Sequence, residues 1–261
     1  DNTEFRRAEI IFRLKNEKNT EFFVGYDPRA DRWLDVYGKW MIGPGGQLRV
    51  GQFKQNMNLE ELITTKSIDF VSRALPNAFT IGRRLGVEYM QFGTSWTASA
   101  GVYDRELTND TGKGTGVVVR GTYAPIHELE ETLHFGVALS SQEQFKNVAR
   151  FSARPEADLA NFRLVDTGNI ANADRNNQIG VEAAYSKGPW AVQGEYLRAN
   201  VTRSAGLAAT AFTGPNLLLR GQDAASKRLN LAVIGANGKG QSDTQAVTLA
   251  HNIVALVDVD S

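Results

Sequence analysis

The chain has 261 residues, with 29 Lys and Arg balanced by 29 Asp and Glu, and it has no cysteine. The balance argues against a general nucleic-acid binder, and the missing thiols exclude disulfides and thiolate metal sites. A run of about 18 apolar residues is absent, so no helix spans a bilayer, but a barrel strand is apolar only at every second position and escapes that test.

Residues 3–14 alternate, with Ala8, Ile10, Phe12 and Leu14 on one face and Arg7, Glu9, Ile11 and Arg13 on the other. A second strand is expected over 21–26. A third, over 32–40, sets Leu34, Val36, Gly38 and Trp40 against Trp33, Asp35, Tyr37 and Lys39. The turn Gly43-Pro44-Gly45-Gly46 returns the chain into a strand at 47–54. There the alternation stops. Residues 59–63 read as a turn or two of helix, 64–67 as a polar turn, and 68–75 as a second short helical piece ended by Pro76. A long structured insertion between strands is uncommon and usually functional. In a closed barrel its place is inward, across the bore.

Strands follow at 82–92, 95–103, 116–123, 133–140 and 148–154, the last with Arg150, Ser152 and Arg154 on one face. Residues 104–115 and 157–177 read as loops and 125–131 as a turn. Strands 178–185 and 190–201 form a hairpin about Lys187-Gly188-Pro189, with Glu182, Gln193 and Glu195 on its polar faces. Weaker strands are expected at 217–220, 227–234, 244–249 and 252–259. No linker divides the chain, so it reads as a single all-β, antiparallel domain over 1–261, with the insertion at about 56–80.

Periodicity alone does not separate a transmembrane β-barrel from a soluble or periplasmic β-sandwich, for instance a carbohydrate-binding one, because both alternate in the same way. Three features favour the barrel. Short connections alternate with long ones. The polar face of the first strand mixes charges, Arg7 and Arg13 with Glu9, as suits a water-filled lumen. The insertion needs a space to fill.

An enzyme is not indicated. His127, His134 and His251 are isolated, with no metal-ligand spacing. Gly112-Lys113-Gly114 and Gly238-Lys239-Gly240 lack the flanking residues of a phosphate-binding loop. A channel reading uses the arginines instead. A pore that selects anions needs fixed positive charge along its path, and arginine offers a planar fork that never deprotonates. The candidates are Arg7 and Arg13 on the first strand, Lys66 in the turn of the insertion, Arg73, Arg83 and Arg84 just after it, and Arg120, Arg150 and Arg154 on later strands. Arg73, Arg83 and Arg84 either line the channel or pair with acids such as Glu60, Glu61, Asp69 and Glu88. Glu60 and Glu61 are expected to anchor the loop. No cofactor and no metal is expected.

Several segments resemble the phosphate-selective porins of the O and P type. They are Gly51-Gln52-Phe53-Lys54-Gln55, running through Leu59-Glu60-Glu61 and Thr64-Thr65-Lys66 to Arg73-Ala74-Leu75-Pro76; the opening Phe5-Arg6-Arg7-Ala8; Arg83-Arg84-Leu85-Gly86-Val87; Arg163-Leu164-Val165-Asp166-Thr167-Gly168; and Gly188-Pro189-Trp190 with Gln193-Gly194-Glu195-Tyr196-Leu197-Arg198. The similarity runs over about residues 3–201. It implies a porin-type barrel of sixteen strands with an inward-folded constriction loop, a homotrimer in the lipid of the bacterial outer membrane, and diffusion of small anions, phosphate or polyphosphate among them. It also implies the loop lysine, here Lys66, and the arginine pair of the opening. Departures are Asn56-Met57 where the family has Pro-Phe, and Ser152 and Glu156 in the row of Arg150 and Arg154. Sixteen strands of about ten residues, with loops, ask for more than this length, so the sequence is expected to omit stretches of a longer one, with a barrel of fewer strands as the rival explanation.

Overall fold

A computed structural model describes residues 7–16, 20–64, 68, 73–108, 114–153, 163, 165–204, 208–220, 230–234 and 252–259. Strands dominate them: β1 (Ile10–Lys15), β2 (Glu21–Asp27), β3 (Arg32–Ile42), β4 (Gly46–Lys54), β5 (Arg83–Phe92), β6 (Trp96–Tyr103), β7 (Gly116–His127) and β8 (Glu131–Glu143). Four two-residue pieces follow, β9 (Val148–Ala149), β10 (Ser152–Ala153), β11 (Val165–Asp166) and β12 (Ile170–Ala171). Then come β13 (Ala173–Lys187), β14 (Trp190–Arg203), β15 (Ala208–Arg220), β16 (Asn230–Ile234) and β17 (Asn252–Val259). The insertion carries one turn of helix, α1 (Leu59–Leu62), and a 3-10 turn, Leu75–Phe79.

Among the described residues thirteen strands make one sheet, in the order β1-β2-β3-β4-β5-β6-β7-β8-β13-β14-β15-β17-β16. Neighbours run antiparallel except β16 and β17, which are parallel. Among the described residues the edges β1 and β16 do not pair, and neither a closed ring nor sixteen strands is seen.

The two faces of this sheet invert the usual order of a water-soluble protein. One face carries Ile10, Phe12 and Leu14 on β1, Val117 and Val119 on β7, Phe135, Val137 and Leu139 on β8, and Ile179 and Val181 on β13, all exposed. Leaving a large apolar side chain in water forgoes about 1.5–3 kcal/mol of burial, so a face built this way is costly when bare to water. The other face buries polar groups: Glu21, Glu88, Gln142, Gln178, Glu182 and Glu195. A sandwich would press the apolar rows together in a dry centre. Here they stand outside, and the sandwich is not favoured.

The sheet curls around its polar face. The Asn56 side chain donates to Ser99 on β6 at 3.3 Å, and Asn58 donates to Glu195 on β14 at 3.2 Å. On a flat sheet β6 and β14 would lie about 19 Å apart, at about 4.8 Å per strand. Gln55, one residue beyond β4, also donates to Gln142 on β8 at 3.4 Å, four strands along the sheet from β4. Contacts this far across the sheet from one short segment mean that the wall bends round it. Met57 sits in the same hollow, in a cluster with Phe53, Tyr103, Val118, Ala138 and Leu197. Tyr103 lies flat against the wall over Gly86, where an added Cβ would come within 2.5 Å of its ring.

Several expected boundaries shift. The β2–β3 register slips between Val24 and Tyr26, and a slip of one residue turns side chains to the other face. Tyr26 therefore pairs with Trp33, their rings 5.0 Å apart, and Leu34 is buried while Trp33 is exposed, reversing the alternation expected there. β7 runs through Pro125 to His127 instead of turning, because the proline falls at a register shift where its missing N–H costs no ladder bond. Pro76 lies in the first turn of the 3-10 piece Leu75–Phe79, as its fixed φ allows. Residues 69–72 of the helical piece expected over 68–75 lie outside the described residues. The strand expected over 148–154 is not continuous. β9 pairs with β12 and β10 with β11, so Arg150 and Ser152 do not share one face of a wall strand. The β13–β14 hairpin keeps its expected turn, with Gly188 at φ +54 ahead of Pro189. The strand expected at 244–249 lies outside the described residues.

Candidate functional site

Between β1, the start of β5 and the insertion lies a chamber of about 820 Å³. Five of the expected cations line it: Arg7, Arg13, Arg73, Arg83 and Arg84. Arg32 and Lys54 join them, against four acids, Glu9, Asp35, Glu61 and Glu106. Residues as far apart in sequence as Arg7 and Glu106 meet here, and β4 and β5 pair across the insertion, with Lys54 opposite Arg83 and Phe53 opposite Arg84.

Most of these cations have a carboxylate partner. Arg13 donates to Glu21 at 2.6 Å, Arg83 to Asp35 at 2.9 Å, and Lys54 lies 3.2 Å from Glu61. Arg7 lies 3.9 Å from Glu9. Arg73 works as a strut for the insertion as well. It donates to the carbonyls of Glu60 at 2.8 Å and Ile63 at 2.6 Å, with Glu61 at 3.6 Å. Arg84 differs. Its guanidinium reaches the Arg83 carbonyl at 3.4 Å, and its buried Nε–H has no partner. Of the expected cations that are described, Arg84 alone has no carboxylate within 4.0 Å among the described residues. It also lines a smaller cavity of about 150 Å³, shared with Arg150, and so stands where the two spaces meet.

The other expected residues lie elsewhere. Arg120 is on the wall at the foot of the insertion, bonded to Glu182, which His134 Nε2 also reaches at 2.9 Å. Arg150 forms a two-pronged pair with Asp166 in the stretch between β8 and β13. Their hydrogen bond holds the Asp166 carboxyl down at about 2 and raises the guanidinium in turn. Lys66 and Arg154 lie outside the described residues. Glu60 accepts the Ala74 N–H and the Gln193 amide, each at 3.2 Å, and Glu61 accepts the Asn77 amide at 2.8 Å.

The insertion touches the wall at both ends. Near α1, the Leu59 N–H donates to Glu182 at 2.8 Å and the Glu60 N–H to Glu195 at 2.7 Å. At the 3-10 turn, Phe79 packs on Phe151, ring centroids 5.0 Å apart, in an apolar cluster with Val165, Ile170, Ala199 and Val201. The Phe79 carbonyl accepts from Gln178 at 2.6 Å. The stretch between β8 and β13 thus packs against the insertion over the polar face.

Sequence reasoning placed Glu182 and Glu195 on the polar faces of a hairpin and named Glu88 among the acids for Arg73, Arg83 and Arg84, but it singled out neither Glu21 nor Arg49, and Arg49 is the arginine that Glu88 meets. Glu182 and Glu195 carried a usable signal. They are equidistant from the Gly188-Pro189 turn, so the hairpin register alone makes them direct partners. Arg49 had none, since its partner Glu88 stands on a strand set beside β4 only across the insertion.

A family profile described as phosphate-selective porin O and P matches residues 1–215. No curated protein matches the chain.

Proposed function

The chain belongs to the phosphate-selective porin O and P family, and from that premise we propose that it is a passive outer-membrane channel for small anions, phosphate among them. The supporting observation is the chamber that gathers Arg7, Arg13, Arg73, Arg83 and Arg84 beside the insertion. The insertion is the constriction in this reading, with Glu60 and Glu61 holding it. Lys66, Arg120, Arg150 and Arg154 lie along or beside the path. The exposed apolar face meets lipid, and three copies assemble as a homotrimer. Membership in this family points to a channel rather than an enzyme, and passive flux needs no cofactor.

Mechanistically, seven basic side chains against four acidic ones attract an anion into the chamber. Guanidinium forks replace part of its water. Because five of the seven cations, all but Arg32 and Arg84, already have a carboxylate partner among the described residues, most contacts with the permeant compete with an existing pair and stay weak. Weak sites in series let an ion enter and leave again. Arg84, with spare donors at the junction of two cavities, is the strongest contact in the row.

Reversal potentials of the purified protein in planar bilayers, under a salt gradient, test this. Anion preference is the expected result. A cation preference rejects the assignment of permeant while leaving the family and the sheet untouched.

A further inference from the structure

Glu182 and Glu195 face each other directly across β13 and β14, and each is 5 % exposed. Two like charges opposed in a sheet are destabilising, and burial makes an uncompensated carboxylate costlier still. Both are compensated, and much of the compensation comes from the insertion. Glu182 accepts from Arg120 and His134 on the wall, and from the Leu59 N–H of the insertion at 2.8 Å. Glu195 accepts from the Glu60 N–H at 2.7 Å and the Asn58 amide at 3.2 Å. Those two partners both belong to the insertion. The Asn58 side chain makes no bond to its own first turn. The wall supplies the acceptors that the opening of α1 would otherwise lack.

We propose that Glu182 and Glu195 are positioning residues for permeation: a pair of wall carboxylates that latches the base of the insertion and so sets the width of the passage. The dependence runs both ways. The insertion's first turn needs the carboxylates as acceptors, and the opposed carboxylates need the insertion's N–H groups to stand side by side. Arg120 fixes the orientation of Glu182 from the wall, which gives that arginine a role away from the chamber. The latch rests on the reading of the insertion as the narrowest point.

Two measurements test it. In planar bilayers, Glu195→Ala removes both acceptors, and single-channel conductance is expected to rise about twofold with noisier open levels, since conductance follows the narrowest section. Glu195→Gln keeps an acceptor oxygen and restores quiet, near-native steps. A purely structural role would lower the unfolding temperature of both variants without changing conductance, and native-like steps in Glu195→Ala overturn the proposal. The second measurement uses the unaltered protein, in case the alanine variant does not assemble. Hydrogen exchange of a peptide spanning Leu59 and Glu60 is expected to be as slow as that of β13, and free exchange there overturns the latch. If the unaltered protein forms no pores, the channel reading fails, while the exchange result still decides whether the latch exists.

Discussion

Arg49 on β4 and Glu88 on β5 are direct cross-strand partners, and the guanidinium donates to the carboxylate at 2.6 Å with Glu88 only 1 % exposed. The same guanidinium lies 3.9 Å from the centroid of the Phe53 ring, and Tyr103 adds its hydroxyl to Glu88 at 2.7 Å. A buried carboxylate on a sheet face is tolerated only when several donors meet it, and here they come from β4 and β6. Glu21 is served likewise by Arg13, Tyr37 and Lys39. Such partnered acids stiffen the polar wall that faces the insertion.

Glu88→Ala is expected to destabilise the protein by about 3 kcal/mol, because it leaves the Arg49 charge and the Tyr103 hydroxyl without their partner. The double change Arg49→Met with Glu88→Leu should cost clearly less, since no orphaned charge remains. Denaturant unfolding in detergent, followed by tryptophan fluorescence, gives both values. Equal losses would show that the pair is not the origin of the effect.

Arg84→Ala should lower the anion-to-cation permeability ratio. A unit charge at 4 Å in water is worth about 1 kcal/mol, so roughly a fivefold fall is expected. The double change Arg83→Ala with Asp35→Ala removes a cation together with the carboxylate it is committed to. The chamber charge is then unaltered, and the effect on the ratio is expected to be smaller. Reversal potentials order the two variants.

Val181 stands mid-strand on the apolar face of β13 and is exposed. Val181→Lys is expected to cost about 2–4 kcal/mol in lipid, as for a lysine near the bilayer midplane. Ala184→Lys, on the opposite face of the same strand, should cost much less. Folding titrations into lipid vesicles measure both. Comparable costs would contradict a lipid-facing role for the apolar rows.

The Arg150–Asp166 pair should pin the stretch between β8 and β13 across a wide pH range. The Asp166 carboxyl is held down at about 2 by its bond to Arg150, below its ordinary 3.8. Its contribution is therefore complete above the ordinary value and lost as pH falls through about 2. Pepsin cleavage beside Phe151 should rise as pH drops from 4 to 2. In Asp166→Asn it should already be fast at pH 4, which provides the reference for pepsin's own pH dependence. No difference between the two proteins at pH 4 would remove the pair as a pin.

Local sequence determined the strands, the hairpin about Gly188, the interruption after Lys54 and the segments that resemble the porin family. These depend on near neighbours: alternation with period two, a glycine at positive φ, a proline at a turn. Alternation names two sets of side chains but cannot say which one faces out, and the curvature of the sheet decided that by turning Glu88 and Glu182 inward and Val137 and Val181 outward. The partners of the charges were equally out of reach. Arg49 meets Glu88 across 39 positions, Arg120 meets Glu182 across 62, and Glu60 meets Glu195 across 135. The break of the expected strand at 148–154 belongs to the same class, because its pieces pair with β11 and β12 instead of a wall strand. Only the tertiary structure sets such distances, since electrostatic and hydrogen-bond partners are chosen by proximity in space, and a single sequence carries little record of that between remote strands.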